Sequence, residues 1–230
     1  QLYEGIADKP TVIAKRGGIG RTPSFKPSEN KSYSEIELIV KEDGKIGGKT
    51  TYKPSGATEI NSRTNGIHTS NATMEKIVKD YLNLHNESGV GTFKILAIEN
   101  LEENFVATFL YTLDEQSNFP GVGATRLPIG LSPAHIKKNT NQSTIEKRRH
   151  PWACHSEDIE ERYRITLPKT VQITRVPQSV NFESKTVKFQ SSYKLDGNTV
   201  NATRRLVRTY ASHVCGEREN QEWIDALISI

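Results

Sequence analysis

Two Asp-Gly dipeptides, each flanked by residues that alternate between apolar and polar side chains, constrain the fold of this chain most strongly. The first, at positions 43–44, follows the alternating run Ile36–Val40. The second, at positions 196–197, separates two further alternating runs near the C-terminus. Asp-Gly is a preferred dipeptide of the type I′ turn, which joins neighbouring antiparallel strands. The sequence therefore predicts two β-hairpins and a largely antiparallel architecture.

Two segments have a helical period instead. In the first, apolar residues recur at the spacing of one helix face: Met74, Ile77, Val78, Tyr81 and Leu82. The second closes the chain and has Trp223, Ile224, Leu227 and Ile228 on one side. The sequence thus predicts a helix inserted between hairpins and a short helix at the C-terminus.

Further strand patterns complete the predicted fold class, which is mainly β with some α (α+β). These patterns cover Phe93–Ala97, Phe105–Leu113, Tyr163–Leu167, Val171–Ile173, Val180–Phe182 and Val187–Phe189. Because alternating strands leave one sheet face in water, we expect an antiparallel, β-sandwich-like arrangement with one or two inserted helices and a C-terminal helix.

The domain organisation is predicted from where these patterns start and stop. Residues 1–30 are rich in Gly, Pro, Lys and Ser and predict an extended connector. Residues 31–155 predict an α+β region of the form ββ-helix-ββ with a long loop arm, because residues 115–155 contain prolines and polar runs. Residues 156–230 predict an antiparallel β-meander with a terminal helix, which either stands alone or forms one sandwich with the preceding region.

Charge and hydropathy argue against two classes of partner. The 31 basic and 27 acidic residues give a formal net charge of +4, but they are well mixed along the chain. A nucleic-acid interface would concentrate basic residues on one stripe, so we expect no nucleic-acid partner. No apolar run approaches the roughly 18 residues that cross a bilayer, so we expect no membrane span.

The two cysteines and the histidines beside them offer the sharpest candidates for chemistry. Cys154, His155, His213 and Cys215 are ligand types that zinc accepts, but neither pair has the two-to-four-residue gap that turns both side chains onto one ion. We therefore predict no metal and no other cofactor. A disulfide between Cys154 and Cys215 is a second interpretation. Two separate buried thiols, the commonest fate of sparse cysteines, is the third, and we rank it ahead of the disulfide.

The order Cys154, His213, Asp225 also imitates the catalytic triad of a thiol hydrolase. Such a cysteine needs a depressed pKa, supplied by a helix N-terminus and a neighbouring histidine. Cys154 instead follows Pro151-Trp152 in a loop before a strand, and Asp225 lies on the terminal helix. We therefore predict no catalytic residue, and a thiol or zinc hydrolase built on Cys154 and His213 remains an alternative.

Exposed aromatic residues would be the recognition surface of a carbohydrate- or peptide-binding module. Trp152, Tyr193 and Tyr210 are the candidates for such a ligand surface. Aromatic side chains at these positions are more often part of the core or of strand packing. An independent binding module of an exported protein is therefore a second alternative function.

Several short motifs resemble those of one family of multidomain bacterial proteins. They include Leu-Tyr-Glu-Gly-Ile-Ala and Gly-Gly-Ile-Gly-Arg-Thr-Pro within residues 2–27, the turn at 43–44, Arg-Arg-His-Pro at 148–151, Tyr-Arg-Ile-Thr-Leu-Pro at 163–168, the strand at 203–210 and the closing helix. Together they resemble the C-terminal β-rich region of bacterial transglutaminase-like proteins. Those proteins carry a domain of unknown function and a transglutaminase-like core ahead of that region.

This resemblance implies a function without chemistry of its own. The family's catalytic Cys, His and Asp lie upstream of the β-rich region, and Cys154 does not match the motif of the nucleophile. The resemblance implies a non-catalytic accessory or interaction module, whose partner is its own upstream catalytic domain or another protein. It also implies a periplasmic or extracellular location.

Overall fold

The computed structural model describes residues 8–15, 17–24, 26–67, 71–114, 121–124, 127–131 and 150–229. Their helices are α1 (Ala57–Ile67), α2 (Asn71–Leu84) and α3 (Glu217–Ser229). Their strands are β1 (Pro10–Ile13), β2 (Gly18–Arg21), β3 (Lys31–Val40), β4 (Ile46–Pro54), β5 (Gly89–Leu96), β6 (Val106–Leu113), β7 (Trp152–Ala153), β8 (Glu157–Thr166), β9 (Val180–Glu183), β10 (Val187–Asp196), β11 (Thr199–Arg208) and β12 (Val214–Cys215).

Eight of these strands form one sheet in the order β5-β6-β4-β3-β8-β11-β10-β9. Neighbouring strands are antiparallel except at the centre, where β3 and β8 run parallel, in register from Lys31 opposite Asp158 to Ile39 opposite Thr166. Strands from the first half of the chain therefore lie on one side of this central pair, and strands from the second half lie on the other. The strands β1 and β2 form a separate hairpin, and β7 pairs with β12.

The two sides of the sheet differ in what lies over them. Because side chains alternate along a strand, Ile36, Tyr163 and Ala202 share one face, and their neighbours Glu37 and Arg164 share the opposite one. The first face, which we call the covered face, contains the buried residues of both cores. The second, which we call the open face, is lined mostly by exposed polar residues.

Two clusters of buried apolar side chains form on the covered face. The first lies under α2 and contains Ile36, Leu38, Ile46, Val78, Leu82, Tyr111, Leu113, Ile129, Tyr163 and Ala202. The second lies under α3 and contains Leu131, Val187, Phe189, Leu206, Trp223 and Ala226. Trp223 and Ala226 are fully buried, so α3 is an integral part of the second core.

The start of the central strand pair is secured by a buried asparagine. Asn30, 2% exposed, donates its side-chain amide to the carbonyl oxygen of Ser156 at 3.0 Å. Its side-chain oxygen accepts from the hydroxyl of Thr58 at 2.9 Å, and its backbone carbonyl accepts from the Asp158 amide at 3.0 Å. This one residue therefore joins α1, β3 and β8 at one end of the junction.

The predicted fold class is confirmed: the described chain is mainly β, with inserted helices and a C-terminal helix. Both predicted hairpins are present, joining β3 to β4 and β10 to β11. The sheet is mixed rather than wholly antiparallel, because of the β3–β8 pair. The strands predicted separately for 31–155 and 156–230 lie together in this one sheet.

The structure differs from the sequence prediction at three places. Residues 10–21, within the predicted connector, form the β1–β2 hairpin. The helix α1 was not predicted, because its sequence has no apolar stripe. The strand predicted at Val171–Ile173 is wrong, since these residues belong to the loop between β8 and β9. Most of the predicted loop arm, including Arg148 and Arg149 of the resemblance, lies outside the described residues.

No helix in the described part of the chain is long and apolar enough to cross a membrane.

Candidate functional site

The two cysteines lie where the segments before β8 and α3 meet. Cys154 and Cys215 form a disulfide with an S–S distance of 1.97 Å, and both residues are buried. The amide of Cys154 donates to the carbonyl oxygen of His213 at 3.0 Å, next to the short β7–β12 pair. The structure thus adopts the disulfide that the sequence analysis ranked behind two separate thiols. The two cysteines are 61 residues apart in the sequence, so no local pattern indicated that their sulfur atoms would meet.

The histidines beside the cysteines lie near carboxylates and not in a shared metal site with the sulfur atoms. His155 Nε2 lies 3.6 Å from a carboxylate oxygen of Glu157, and His213 lies near Asp8. In this disulfide-bonded form neither sulfur is available as a thiolate ligand or nucleophile. No group of three metal-binding side chains occurs among the described residues.

The remaining member of the triad order, Asp225, lies on an exposed part of α3. Its carboxylate accepts a hydrogen bond from the side-chain amide of Gln221, one helical turn earlier, at 2.8 Å. The residue order of a thiol hydrolase is therefore present without the contacts that such a mechanism requires.

The three aromatic candidates for a ligand surface are divided between two places. Trp152 and Tyr210 pack edge to face, with ring centroids 6.2 Å apart, and both are half-buried. Tyr193 lies opposite Ala202 on the covered face and packs against the first core. The structure therefore brings together two of the three residues, and these two rings already contact each other.

A cluster of buried charged and polar groups, which sequence reasoning missed, lies at the centre of the covered face. Arg204 of β11 donates from Nη2 to a carboxylate oxygen of Glu161 at 3.1 Å, and also to the hydroxyl of Tyr163. Tyr163 in turn donates to Glu161 at 2.6 Å. The side chains of Arg204 and Glu161 are 8% and 7% exposed. We call Glu161, Tyr163 and Arg204 the central triad.

The electrostatics of the central triad keep the Tyr163 hydroxyl protonated. Burial, followed by the neighbouring Glu161 carboxylate, raises the pKa of Tyr163 well above its ordinary value. The Tyr163 hydroxyl therefore remains a hydrogen-bond donor at every physiological pH. The guanidinium of Arg204 lies over the Tyr163 ring, 4.8 Å from its centroid, and adds a cation–π contact.

The central triad holds a segment of chain against the sheet. This segment consists of residues 127–131, and we call it the strap. The backbone amide of Leu131 donates to both carboxylate oxygens of Glu161 at 2.9 Å. The carbonyl of Ile129 lies 3.0 Å from the Tyr163 hydroxyl. The strap joins the cores, because Ile129 belongs to the first and Leu131 to the second.

Gly130, which lies between Ile129 and Leu131 of the strap, fits because it has no side chain. Its φ of +100° lies in a region that favours glycine, and a Cβ there would overlap the Tyr163 hydroxyl. Its amide donates to Nδ1 of buried His85, which follows α2, at 3.1 Å. The strap is therefore bound by groups from both halves of the chain.

A second buried ion pair lies under α3, four residues away from the first along both β8 and β11. Glu157 of β8 accepts from Nε of Arg208 of β11 at 2.8 Å. The Arg208 guanidinium lies over the Trp223 ring, 4.9 Å from its centroid. Burial alone would raise the pKa of Glu157, but Arg208 and His155 together lower it to about 2. This pair fastens α3 to the sheet.

Both buried ion pairs had a signal in the sequence. On β8, Glu157 and Glu161 fall in the same alternating register as Tyr163, and on β11 Arg204 and Arg208 fall in register with Leu206. Charges in phase with the apolar residues of a strand face the core, where they must be paired. Acids on one strand and bases on another thus indicated that β8 and β11 are neighbours.

The low pKa of Glu157 makes the stability of the fold depend on pH. An ordinary glutamate titrates near 4.5, so the stabilisation from Glu157 is complete above that pH and is lost as the pH falls towards 2. We expect the loss to reach about 3 kcal/mol. Urea denaturation of the wild type and of Glu157→Gln at pH 7, 4 and 2.5 measures it. The stability difference between the two proteins should shrink as the pH falls, and a constant difference would contradict the ion-pair account.

Comparison with known proteins finds one family model that matches part of the chain. Residues 127–209 match the family DUF3858, which is described as a domain of unknown function. The match begins at the strap and ends one residue beyond β11, so it contains Glu161, Tyr163 and Arg204. No curated protein and no solved structure matches the chain.

Proposed function

We propose that this chain is a non-catalytic interaction module of a larger transglutaminase-like protein, and that its partner is the catalytic domain of that protein. The short motifs shared with the C-terminal region of such proteins support this proposal. The match of residues 127–209 to a domain of unknown function is compatible with it, since that family carries no assigned activity.

One observation carries the non-catalytic part of the proposal. Two ion pairs, Glu161–Arg204 and Glu157–Arg208, form within the fold, and the Glu161 carboxylate and the Tyr163 hydroxyl also bind the strap. A catalytic acid or base must have a free position that faces substrate. Carboxylates and guanidinium groups that pair within the fold instead hold strands and helices together.

The open face is the surface that we assign to the catalytic domain. Exposed charges of opposite sign alternate along its central rows, where Lys49 lies opposite Glu37 and Glu37 lies opposite Arg164. In the next row, Glu35 lies opposite Arg162. Such a mixed pattern favours a polar, partner-specific interface over a non-specific one.

The disulfide supports a periplasmic or extracellular location. Disulfides persist in oxidising compartments and are rare in the reducing cytosol. Cys154 and Cys215 are bonded and buried, which is typical of a structural rather than a redox-active pair. We therefore propose that the module works outside the cytoplasm, where it also withstands the local redox conditions.

Two other functions receive less support from the geometry. A carbohydrate- or peptide-binding module would need exposed aromatic faces, whereas Trp152 and Tyr210 pack edge to face and Tyr193 lies elsewhere. A thiol or zinc hydrolase would need a free sulfur at Cys154, which is in the disulfide.

Binding in trans tests the proposed function. The chain is titrated into the polypeptide encoded directly upstream of it, and binding is followed by calorimetry. We expect a saturable complex that Arg162→Glu/Arg164→Glu on the open face weakens at least about tenfold, because two cationic partners change sign. Arg218→Glu, an exposed charge on α3, is the matched control and should bind as the wild type does.

Two results would contradict the proposal. The first is an absence of binding in the wild type, or equal binding by the open-face variant and the control. The second is acyl transfer or hydrolysis by the chain alone that disappears in Cys154→Ser.

A further inference from the structure

The outermost strand of the first half, β5, is one of the two edges of the sheet in the described part of the chain. It runs for eight residues, pairs with β6 on one side and has no partner strand on the other among the described residues. The opposite edge, β9, has four residues and ends in Glu183, which pairs with Lys188. Short and charged edges resist pairing with another chain, whereas long edges with few charges invite it.

The side chains of β5 on the open face are mostly uncharged. Val90 and Leu96 are 71% and 49% exposed, and Lys94 is the strand's one charged residue. Thr92 lies between Val90 and Lys94 on the same face. Two exposed apolar side chains at the two ends of an edge strand favour burial against another strand.

We propose that a second copy of this chain adds to β5 as an antiparallel strand, with Phe93 of one copy opposite Phe93 of the other. Residues opposite each other in antiparallel strands share a face, so a two-fold axis between the strands must place one residue opposite its own copy and not opposite its neighbour in sequence. Centring on Phe93 places Val90 opposite Leu96 of the second copy, and Thr92 opposite its Lys94. All four exposed apolar side chains of the two strands are thereby buried in pairs.

The neighbouring registers lack this complementarity. Centring on Thr92 places Val90 opposite Lys94, and Leu96 then meets Ser88. Centring on Lys94 places the two lysines opposite each other, which is destabilising. The sequence of β5 therefore favours one self-complementary register, as an isologous dimer interface requires.

The resulting dimer joins two eight-stranded sheets into one continuous sheet. Its covered face is continuous through the two Phe93 side chains, which already pack on Phe109 at a centroid distance of 4.6 Å within each copy. One strand pair is a small interface, so we expect dissociation in the micromolar range. The interface leaves the central rows of the open face free, and the proposal does not depend on the function proposed above.

Sedimentation equilibrium of the 230-residue chain over a concentration series tests the dimer. The monomer mass is 25.8 kDa, and we expect the weight-average mass to rise to twice this value. Two double variants place like charges opposite each other, Val90→Lys/Leu96→Lys and Val90→Glu/Leu96→Glu. Each should raise the dissociation constant at least about tenfold. An equimolar mixture of these two variants should form a heterodimer, since each lysine then meets a glutamate.

The control is Ile39→Lys, which adds a charge on the open face at a residue that is 60% exposed but lies on β3. It should dimerise as the wild type does. A wild type that stays at the monomer mass would overturn the proposal. A dimer that survives both double variants, or variants that do not associate when mixed, would overturn the β5 register. Circular dichroism confirms that each variant is folded.

Discussion

Arg204→Ala is expected to lower the free energy of unfolding by about 3–5 kcal/mol, because it leaves the Glu161 carboxylate buried without its cation. The pair is 8% and 7% exposed, and the same carboxylate receives the amide of Leu131 and the hydroxyl of Tyr163. Removal of the guanidinium therefore also loosens the strap. Urea denaturation followed by circular dichroism measures the loss.

Arg162→Ala is the matched control for this prediction. Arg162 lies on the same strand as Glu161 and pairs with Glu160 at 2.9 Å, but its side chain is 62% exposed. An exposed ion pair contributes about 0–1 kcal/mol, so the control should be close to the wild type. Glu161→Gln combined with Arg204→Met removes both charges and should be more stable than Arg204→Met alone. Equal losses of unfolding free energy in Arg162→Ala and Arg204→Ala would contradict the account that burial makes the Glu161–Arg204 pair important for stability.

Removal of the disulfide is the second large expected effect. Cys154→Ser/Cys215→Ser should lower the free energy of unfolding by about 4 kcal/mol, because the crosslink closes a 61-residue loop and restricts the unfolded chain. The bond also ties the segment before β8 to the segment before α3. We therefore expect α3 to loosen first and its buried Trp223 to become accessible.

Tryptophan fluorescence during denaturation measures this second effect. The wild type in dithiothreitol should behave like the double serine variant, and dithiothreitol should leave that variant unchanged. A wild type whose unfolding midpoint is insensitive to reductant under conditions that break the bond would contradict the expected stabilisation.

Local patterns predicted the parts of the fold that depend on neighbouring residues. The alternation around the two Asp-Gly turns placed β3–β4 and β10–β11, and the apolar stripe that ends at Leu82 placed α2. Each of these elements buries apolar residues at a regular spacing, so its period is visible in the sequence.

The helix α1 was missed because its buried face is built around a charged residue. Arg63 is 6% exposed and bonds to Glu59 of the same helix and to the carbonyl oxygens of Ala97, Ile98, Asn100 and Glu103. A helix in which Thr, Asn and Ser residues surround an arginine carries no clear apolar stripe. Its burial depends on carbonyl groups more than 30 residues away, which no local period can reveal.

The central triad was missed, and the disulfide was ranked second, for the same physical reason. Glu161 meets Arg204 only because β8 pairs with β11, and the Leu131 amide meets Glu161 only because the strap crosses the covered face. Strand order and strap position are long-range properties. The inward register of the acids on β8 and the bases on β11 was the one signal of the central triad present in the sequence.

The complete polypeptide to which this chain belongs tests the proposed function most directly. The measurement is the intact mass and peptide map of the protein isolated from its native source, read against the coding sequence upstream of Gln1. The proposal predicts a transglutaminase-like core upstream, with its own cysteine, histidine and aspartate in that order. A mature protein with no such core would contradict the assignment of this chain as its accessory module.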